Sequence, residues 1–292
     1  MSGADIFAVV VSFNGEATIA RTVRALQGRV GRICVIDNGS RSECLDQLRA
    51  LDGEADIEVL TLGTNMGIGY ALNRGVARAR ELGYTWLLTM DQDSVADSGM
   101  IPAYCAAIEA NPDLACLSPA IAGRPMGVAD VYPVSYAITS GNMVRISALE
   151  QVGPYDEGLF IDCVDFDFSL RLRRAGYGIH RVSAAAMRHQ LGEPESTSRF
   201  AGRFYARHSP MRRYYMYRNH LYLCERYLVR FPGFILKLTV LQALLFVLIG
   251  FYDTNPAQSY RAIARGIKDY CLRRRGQCQS DPTAGAAAGV AP

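Results

Sequence analysis

The sequence is poor in lysine, and this scarcity excludes one large class of enzyme. Only Lys237 and Lys268 are lysines, whereas the other 29 of the 31 basic residues are arginines. The phosphate-binding loop of a P-loop nucleotidase requires Gly-Lys-Ser/Thr, but a leucine precedes Lys237 and an isoleucine precedes Lys268. A P-loop nucleotidase is therefore excluded.

Three other signatures are also missing. The eight cysteines form no Cys-x-x-Cys pair and have no histidine at zinc-finger spacing, which favours reduced thiols of a cytosolic protein. Residues 1–3 lead directly into an apolar run without a basic segment, so no secretory signal is expected. After Gly67 and Gly69, the third glycine of a dinucleotide fingerprint would fall at Leu72, and a nicotinamide-binding domain is therefore not expected.

Apolar residues are abundant, and charge is divided unevenly along the chain. Half of the 292 residues are hydrophobic and 20% are charged, so the chain can bury a large core. Residues 1–200 carry 17 basic and 24 acidic side chains (net −7), whereas residues 201–292 carry 14 and 4 (net +10). The basic end suggests a partner that carries phosphate groups.

Apolar runs and helical periodicity alternate through the first half of the chain. Strands are predicted at residues 6–11, 33–36, 57–62, 86–90 and 114–118, with helices at 16–26, 68–82 and 98–111 between them. Further helices are predicted at 147–152 and 164–175, and a strand at 184–187. This order predicts a Rossmann-like α/β sheet, followed from residue 199 by a helical, aromatic and basic region.

Polar side chains follow three of the predicted strands at the edge where ligands of α/β sheets bind. Asn14 follows the first strand, Asp37 and Asn38 follow the second, and the fourth leads into Asp91-Gln92-Asp93. Two carboxylates at an i, i+2 spacing supply the hard oxygen ligands that Mg²⁺ and Mn²⁺ share with substrate phosphates. We therefore expect a metal and nucleotide site at this edge.

A second acidic cluster surrounds the start of the helix at 164–175. Asp162, Asp165 and Asp167 lie among four apolar side chains, and a carboxylate in a partly apolar cleft is suited to act as a general base. The alternative is that they only compensate the helix dipole. His189, at the end of the predicted strand 184–187, is a candidate ligand for which a structural role is the alternative.

Taken in order along the chain, these segments resemble family 2 glycosyltransferases with the GT-A fold, and within them the bacterial rhamnosyltransferase branch. The resemblance covers residues 5–225. Its motifs are Val-Val-Ser-Phe-Asn-Gly (10–15), Ile-Asp-Asn-Gly-Ser (36–40), Asn-Met-Gly-Ile-Gly-Tyr-Ala-Leu-Asn-Arg-Gly (65–75), Asp-Gln-Asp-Ser (91–94), Ser-Gly-Asn (140–142), Phe-Ile-Asp-Cys-Val-Asp-Phe-Asp-Phe-Ser-Leu-Arg (160–171) and His-Gln-Leu-Gly (189–192).

The resemblance implies a role for each site residue. The donor nucleotide would be bound by Asn14, Asp37, Asn38, Asn65 and Asp91, and a Mg²⁺ or Mn²⁺ ion by Asp93 and His189. Asp165 would be the catalytic base, although the common Glu-Asp pair is here Val164-Asp165. The sugars or the diphosphate would be contacted by Asp162, Asp167, Arg171, Arg212 and Arg213, and Asp167 and Arg171 are also expected to brace the helix. For the arginines of 212–218, a solvated basic helix is the alternative.

The resemblance also implies a reaction, an inverting and metal-dependent transfer of L-rhamnose from dTDP-L-rhamnose to a lipid-linked glycan acceptor in cell-surface polysaccharide synthesis. A UDP-hexose donor is one alternative. A sugar-nucleotide pyrophosphorylase is disfavoured because its Gly-rich basic signature is missing near the N-terminus. A non-catalytic nucleotide- or glycan-binding scaffold is a further alternative. A nucleic-acid partner is not expected, because the basic aromatic stretch continues into an apolar segment.

That apolar segment, residues 238–252, is flanked by arginines that suit the anionic inner face of the cell membrane. At 15 residues it is short for a membrane-spanning helix, so an interfacial, re-entrant or buried position is open, including a homo-oligomer interface. We expect a cytoplasmic, peripheral enzyme. The predicted domains are a GT-A domain at 1–220, a helical membrane-associating or oligomerisation region at 221–278 and a disordered tail at 279–292.

Overall fold

The computed structural model describes residues 1–15, 18–54, 56–121, 130–189 and 207–279, with only the backbone described at residues 121 and 189. The chain divides into two compact units, the first formed by residues 1–156 and 165–190 and the second by residues 157–164 and 191–292. The domain limits at 220 and 278 stay a prediction. Apart from Gln279, the predicted tail lies outside the described residues.

Strands and helices alternate in the first unit. Its strands are β1 (Ile6–Ser12), β2 (Arg32–Asp37), β3 (Ile57–Thr61), β4 (Trp86–Asp91), β5 (Ser94–Ala96), β6 (Cys116–Ile121), β7 (Val131–Pro133), β8 (Asn142–Arg145) and β9 (Ile179–His189). Its helices are α1 (Ile19–Leu26), α2 (Ser42–Leu51), α3 (Ile68–Glu81), α4 (Met100–Ala110), α5 (Ile146–Val152) and α6 (Val164–Arg174).

The strands form one mixed sheet in the order β3-β2-β1-β4-β8-β6-β9-β5, and β7 pairs with β9. The strands from β3 to β4 are parallel, as expected for continuous apolar runs buried on both faces. Beyond β4 the sheet changes direction, because β8 is antiparallel to both β4 and β6. The predicted α/β fold with a mixed extension is confirmed.

Apolar residues of the parallel strands form the core of the first unit. Ile6, Ala8 and Val10 of β1 are fully buried in a cluster with residues of β2, β4, α1 and α4. On the other face of β1, a Cβ atom on Gly75 of α3 would lie 2.5 Å from a methyl group of Val9. This glycine therefore allows α3 to pack directly on β1, beside the strand that ends at the candidate site.

The described part of the second unit includes the helices α7 (Pro210–Tyr227), α8 (Pro232–Tyr252) and α9 (Pro256–Cys271). Each begins with proline, whose missing N–H group costs nothing in the first turn of a helix. Helix α8 begins six residues before the apolar segment predicted from the sequence and has 21 residues rather than 15. The apolar pattern alone missed this first part because Pro232, Gly233 and Lys237 interrupt it.

Candidate active site

Two of the predicted acidic residues meet at the carboxyl edge of the parallel sheet. In the register of the strands, Ser12 of β1 pairs with Asp37 of β2, and Val11 pairs with Asp91 of β4. Because the three strands run in the same direction, the turns that follow them lie at one edge. The structure therefore brings together Asn14, Asp37 and Asp91, which lie up to 77 residues apart in the sequence.

Asp37 is 1% exposed and shapes the turn that follows its strand. Its carboxylate accepts hydrogen bonds from the backbone N–H groups of Gly39 (3.3 Å) and Ser40 (3.2 Å). Gly39 has φ +86°, and a Cβ atom there would lie 2.4 Å from the carbonyl carbon of Thr64. The turn thus needs a glycine at this position. Each carboxylate oxygen has two lone pairs, so Asp37 keeps capacity for a ligand donor.

Three asparagines connect the turns at this edge. Asn14, in the left-handed region at φ +52°, donates its backbone N–H to the Ser40 hydroxyl (2.9 Å), and its Oδ1 accepts from the Arg41 N–H (3.0 Å). The Asn38 amide donates to Asn65 Oδ1 (3.1 Å). The predicted nucleotide-binding asparagines therefore hold the turns after β1, β2 and β3 in a fixed arrangement.

Gln92, to which the sequence assigned no role, ties the acidic turn to the end of β1. Its Oε1 accepts from the Phe13 N–H (2.7 Å), and its Nε2 donates to the Phe13 carbonyl (3.1 Å). The Thr22 hydroxyl of α1 donates to the Gln92 carbonyl (2.7 Å). The only sequence signal was its place between two aspartates. These contacts position the turn that carries Asp91 and Asp93 relative to the end of β1 and to α1.

The residues just before β8 support Asp91 from the other side. The Thr139 hydroxyl donates to Asp91 Oδ1 (3.4 Å), and the Asp91 N–H donates to the Ser140 hydroxyl (3.2 Å). Ser140 is fully buried and opens the Ser-Gly-Asn motif of residues 140–142, which the sequence singled out without a role. This motif therefore supports the carboxylate at the end of β4.

Strand pairing also brings the backbone of His189 close to the backbone of Asp93. Strands β5 and β9 are antiparallel, and their register pairs His189 with Ser94, the residue that follows Asp93. Within the described residues, no group of three or more His, Cys, Asp or Glu side chains is arranged to hold a metal ion. The half-buried carboxylates of Asp91 and Asp93 nonetheless fit an ion that takes its other ligands from a diphosphate and water. The donor set thus fits Mg²⁺ or Mn²⁺.

Asp165 lies in the first turn of α6, where the helix dipole favours a carboxylate. It is half-buried, and its Oδ1 accepts from the Phe166 N–H (2.9 Å). Two residues further, in the same turn, the buried Asp167 forms an ion pair with Arg171 (2.9 Å), which also donates to the carbonyls of Val152 and Gly153 (2.8 Å each). These contacts fix the start of α6 relative to the end of α5.

Asp162 belongs to the second unit and lies in an unusual backbone conformation. Phe160, Asp162 and Cys163 all have φ between +60° and +66°, which is uncommon for residues other than glycine. Asp162 Oδ1 accepts from the Arg212 guanidinium (3.3 Å), and Oδ2 is buried without a hydrogen-bond partner in the described part of the chain. Burial raises the pKa of the Asp162 carboxyl, which Arg212 partly offsets.

Arg213 occupies a different environment from Arg212. Its side chain is fully buried in the second unit, where it forms an ion pair with Asp253 (3.3 Å), whereas the Arg212 side chain is about half exposed. A guanidinium enclosed with an internal carboxylate partner has no access to a substrate. The expected contact of Arg213 with the sugars or the diphosphate is therefore not retained.

Comparisons with known proteins show which enzymes the chain is similar to. Residues 7–130 match the family model described as "Glycosyl transferase family 2". The chain is 27% identical over 246 residues to "dTDP-rhamnosyl transferase RfbF" of Shigella flexneri, a match that covers 76% of this chain and 80% of the relative.

Solved glycosyltransferase structures share the fold at low sequence identity. A Staphylococcus aureus TarS fragment (residues 1–349) bound to UDP-GlcNAc has a TM-score of 0.54 at 17% identity, over 93% of this chain and 73% of the fragment. GalNAc-T7 with UDP, GalNAc and Mn²⁺ has a TM-score of 0.54 at 18% identity, over 63% of this chain and less than half (43%) of its own.

The sheet, the acidic carboxyl edge and these matches define a glycosyltransferase with a GT-A-like fold. Residues 7–130 match the family 2 glycosyltransferase model, as the resemblance of the motifs implied, and 76% of the chain is similar to a rhamnosyltransferase.

Proposed function

We propose that this glycosyltransferase moves L-rhamnose, with inversion, from dTDP-L-rhamnose to a hydroxyl group of a lipid-linked glycan in cell-surface polysaccharide synthesis. The observation that carries the proposal is the convergence of Asp37, Asp91 and the turn bearing Asp93 on one sheet edge. Similarity to a dTDP-rhamnosyl transferase supports the choice of donor.

In the proposed complex, Asp37 accepts the N3–H group of the thymine base, with Asn14, Asn38 and Asn65 holding the surrounding turns. Asp91 lies near the ribose. Uracil presents the same N3–H group, so Asp37 would accept dTDP and UDP equally. The preference for dTDP-rhamnose over a UDP-hexose therefore rests on the similarity to the rhamnosyltransferase relative alone.

The reaction is a single displacement at the anomeric carbon. Asp165 accepts the proton of the acceptor hydroxyl as its oxygen bonds to that carbon, and the bond from the carbon to the diphosphate oxygen breaks on the opposite face. A Mg²⁺ or Mn²⁺ ion bound by Asp93, together with His189, would neutralise the charge that the departing dTDP gains. Asp167 and Arg171 hold α6, so that Asp165 keeps a fixed orientation.

Asp162 is proposed to accept a hydrogen bond from a sugar hydroxyl, with Arg212 orienting its carboxylate. The support is its buried Oδ2, which lacks a hydrogen-bond partner in the described part of the chain, and its left-handed backbone. A buried, unsatisfied carboxylate oxygen lowers stability, and such costs are commonly retained where a ligand supplies the missing partner.

We further propose that α8 rests on the anionic inner face of the cell membrane. It is the one helix in the described part of the chain that is long and apolar enough to cross a bilayer, yet only 17% of its most apolar stretch is buried. Most of its residues are exposed, and five of the exposed apolar ones repeat every three or four positions along the helix. We call these residues the apolar stripe: Leu236, Val240, Leu244, Val247 and Phe251.

The opposite face of α8 favours a position along the surface rather than across the bilayer. Tyr217 of α7 donates to the Gln242 carbonyl (2.7 Å), and Ile249 packs against Ile263 of α9. Because this face packs on α7 and α9, an α8 that crossed the bilayer would bring the polar residues of those two helices into the hydrocarbon region. Exposed basic residues in and near α8 in the sequence suit anionic lipid; they are Arg226, Arg230, Lys237 and Arg261.

Vesicle binding tests this position. Val240→Glu/Leu244→Glu should bind vesicles of phosphatidylcholine and phosphatidylglycerol at least tenfold more weakly than the original chain. Leu82→Glu, at an exposed leucine of the first unit, is the matched control and should bind normally. Equal binding by all three proteins, or no binding by the original chain, would contradict the membrane proposal.

A turnover assay tests the reaction itself. The purified chain is incubated with Mg²⁺ or Mn²⁺, a lipid-linked glycan acceptor and, in turn, dTDP-L-rhamnose, UDP-glucose, UDP-galactose and UDP-GlcNAc. We expect transfer from dTDP-L-rhamnose with inversion at the anomeric carbon. Transfer from a UDP-sugar alone would refute the donor. Nucleotide binding without any transfer would favour a non-catalytic scaffold.

A further inference from the structure

Arg218 of α7 is fully buried, and every N–H group of its guanidinium has an acceptor. A guanidinium offers five such donors in a planar fork. Here the acceptors are the Asn219 side chain (3.0 Å), the Tyr214 hydroxyl (3.3 Å) and the carbonyls of Gly276 (2.7 Å), Gly158 (3.2 Å) and Leu159 (3.1 Å). Since a buried charge is costly unless it is fully hydrogen-bonded, this complete set fixes the side chain in one position.

The carbonyls bonded by this arginine belong to two segments that lie far apart in the sequence. Two of them open the loop that carries Asp162, and the third lies in the turn that follows α9. We call residues 158–162 the Asp162 loop and residues 273–278 the α9 turn. The two segments also bond to each other directly, since the Gly276 N–H donates to the Gly158 carbonyl (2.7 Å). The buried guanidinium therefore joins α7, the Asp162 loop and the α9 turn, which all belong to the second unit.

Aromatic side chains pack the same two segments against α7. The ring of Phe160 in the Asp162 loop stacks on the ring of Tyr215 in α7, with centroids 5.1 Å apart. The Tyr215 hydroxyl accepts from the Cys278 N–H of the α9 turn (2.8 Å), and the Arg218 guanidinium lies over the Tyr215 ring, 4.9 Å from its centroid. Phe160, Tyr215 and Cys278 are buried in one cluster. Hydrogen bonds and packing therefore hold the loop and the turn together on α7.

The loop that is held in this way does not have a relaxed backbone. Phe160 (φ +65°) and Asp162 (φ +60°) are left-handed, and such conformations persist only where surrounding contacts enforce them. Asp162 is the residue of this loop that we assign to a sugar hydroxyl, and a group in an active site has to be held within about 0.5 Å of its productive position. Loss of the contacts around Phe160 would therefore displace the Asp162 carboxylate.

We propose that Arg218 and the α9 turn form a clamp that positions Asp162 for its sugar hydroxyl. Arg218 is a positioning residue, because its five donors are all occupied within the protein and none is left for a substrate. The clamp makes the segment after α9 part of the support of the sugar site. This inference rests on the proposed contact of Asp162 with a sugar.

A double-mutant cycle in the transfer reaction tests the clamp. Arg218→Lys keeps the positive charge but replaces the five-donor fork with an ammonium group that has three donors. We expect kcat/KM for transfer to fall by about tenfold, while the dissociation constant for dTDP stays within about twofold of the original. In Asp162→Asn, the same substitution should cost less than about twofold, because the contact on which it acts is already lost.

Arg213→Lys is the matched control, because Arg213 is also fully buried in α7 but forms its ion pair with Asp253 (3.3 Å), and this variant should transfer normally. Amide hydrogen exchange supplies a second readout. It should become faster in the Asp162 loop and the α9 turn of Arg218→Lys, and in neither segment of Arg213→Lys. If Arg218→Lys does not fold, Tyr215→Phe replaces it in the cycle with a smaller expected loss, since it keeps the ring and removes the acceptor of the Cys278 N–H.

Two results would overturn the clamp. One is the same change in transfer, or none, when Arg218→Lys is made in the original chain and in Asp162→Asn, because the two residues would then act independently. The other is unchanged hydrogen exchange in both segments. Absence of transfer by the original chain would refute the proposed reaction instead, and hydrogen exchange alone would then decide whether the clamp exists.

Discussion

Replacement of Asn219 by alanine should loosen the left-handed loop that precedes Asp165. Asn219 is fully buried in α7, and its amide donates to the carbonyls of Leu159 (2.8 Å), Ile161 (2.7 Å) and Asp162 (3.0 Å). These bonds hold a loop in which three residues other than glycine have positive φ. Such conformations are costly and persist only when surrounding contacts enforce them.

The expected loss follows from these contacts. The Leu159 carbonyl keeps a second donor, Arg218 (3.1 Å), so alanine leaves the carbonyls of Ile161 and Asp162 without the Asn219 donor. Arg218 also loses the Asn219 Oδ1 acceptor (3.0 Å). At about 1 kcal/mol for each hydrogen bond, the free energy of unfolding of the second unit should fall by roughly 2–3 kcal/mol.

Urea unfolding and amide hydrogen exchange measure this effect. We expect faster exchange in peptides that cover residues 157–164, together with the loss of stability. Asn111→Ala is the matched control, because Asn111 is exposed and its side chain accepts one bond, from the Asp113 N–H (3.1 Å). A loss below about 1 kcal/mol with unchanged exchange in the loop would refute the role of Asn219.

Three shorter predictions concern charge and backbone. Burial lowers the pKa of His208 to about 4. Because the folded protein resists protonation of this imidazole, its stability should fall by up to about 3 kcal/mol as the pH drops from about 6.5 to 4. Urea midpoints of His208→Gln should show a flatter pH profile. Asp162→Asn should raise stability at pH 7 by about 1 kcal/mol, because a buried charge disappears, while slowing transfer; lower stability in thermal melts would contradict this. Gly39→Ala should cost at least about 2 kcal/mol more in urea than Gly53→Ala, which has a similar φ but open space, and equal losses would contradict the packing argument.

The parallel half of the sheet could be predicted because its sequence pattern is simple. Residues 6–11, 33–36 and 86–90 are continuous apolar runs, and the structure has β1, β2 and β4 there. The carboxyl-edge rule then places Asp37 and Asp91 together, as the register shows. Here local composition and tertiary position agree.

The mixed half of the sheet was harder to predict in detail. Strand β9 has 11 residues, whereas the sequence indicated only residues 184–187. Arg181, Ser183 and its three alanines have little preference for strands, and pairing with β5, β6 and β7 stabilises the extended backbone instead. Such long-range pairing leaves no local signal.

Supporting contacts in the site were also hidden from the sequence. Gln92 bonds to Phe13 at the end of β1, and Thr139 and Ser140 bond to Asp91. Asn219 reaches a loop about 60 residues away. Polar residues of these types occur at many exposed positions, so their role becomes visible only when partners and burial are known. The left-handed loop at 160–163 contains no glycine that would have indicated it.

The most direct test of the proposed reaction compares donor binding and transfer in Asp165→Asn. The dissociation constant for dTDP should stay within about threefold of the original chain, whereas transfer of rhamnose to the acceptor should fall by about 10²- to 10⁴-fold, the usual contribution of a general base. Unchanged transfer by Asp165→Asn would contradict the assignment of the catalytic base. Equal losses of dTDP binding and transfer would place Asp165 in the donor site instead.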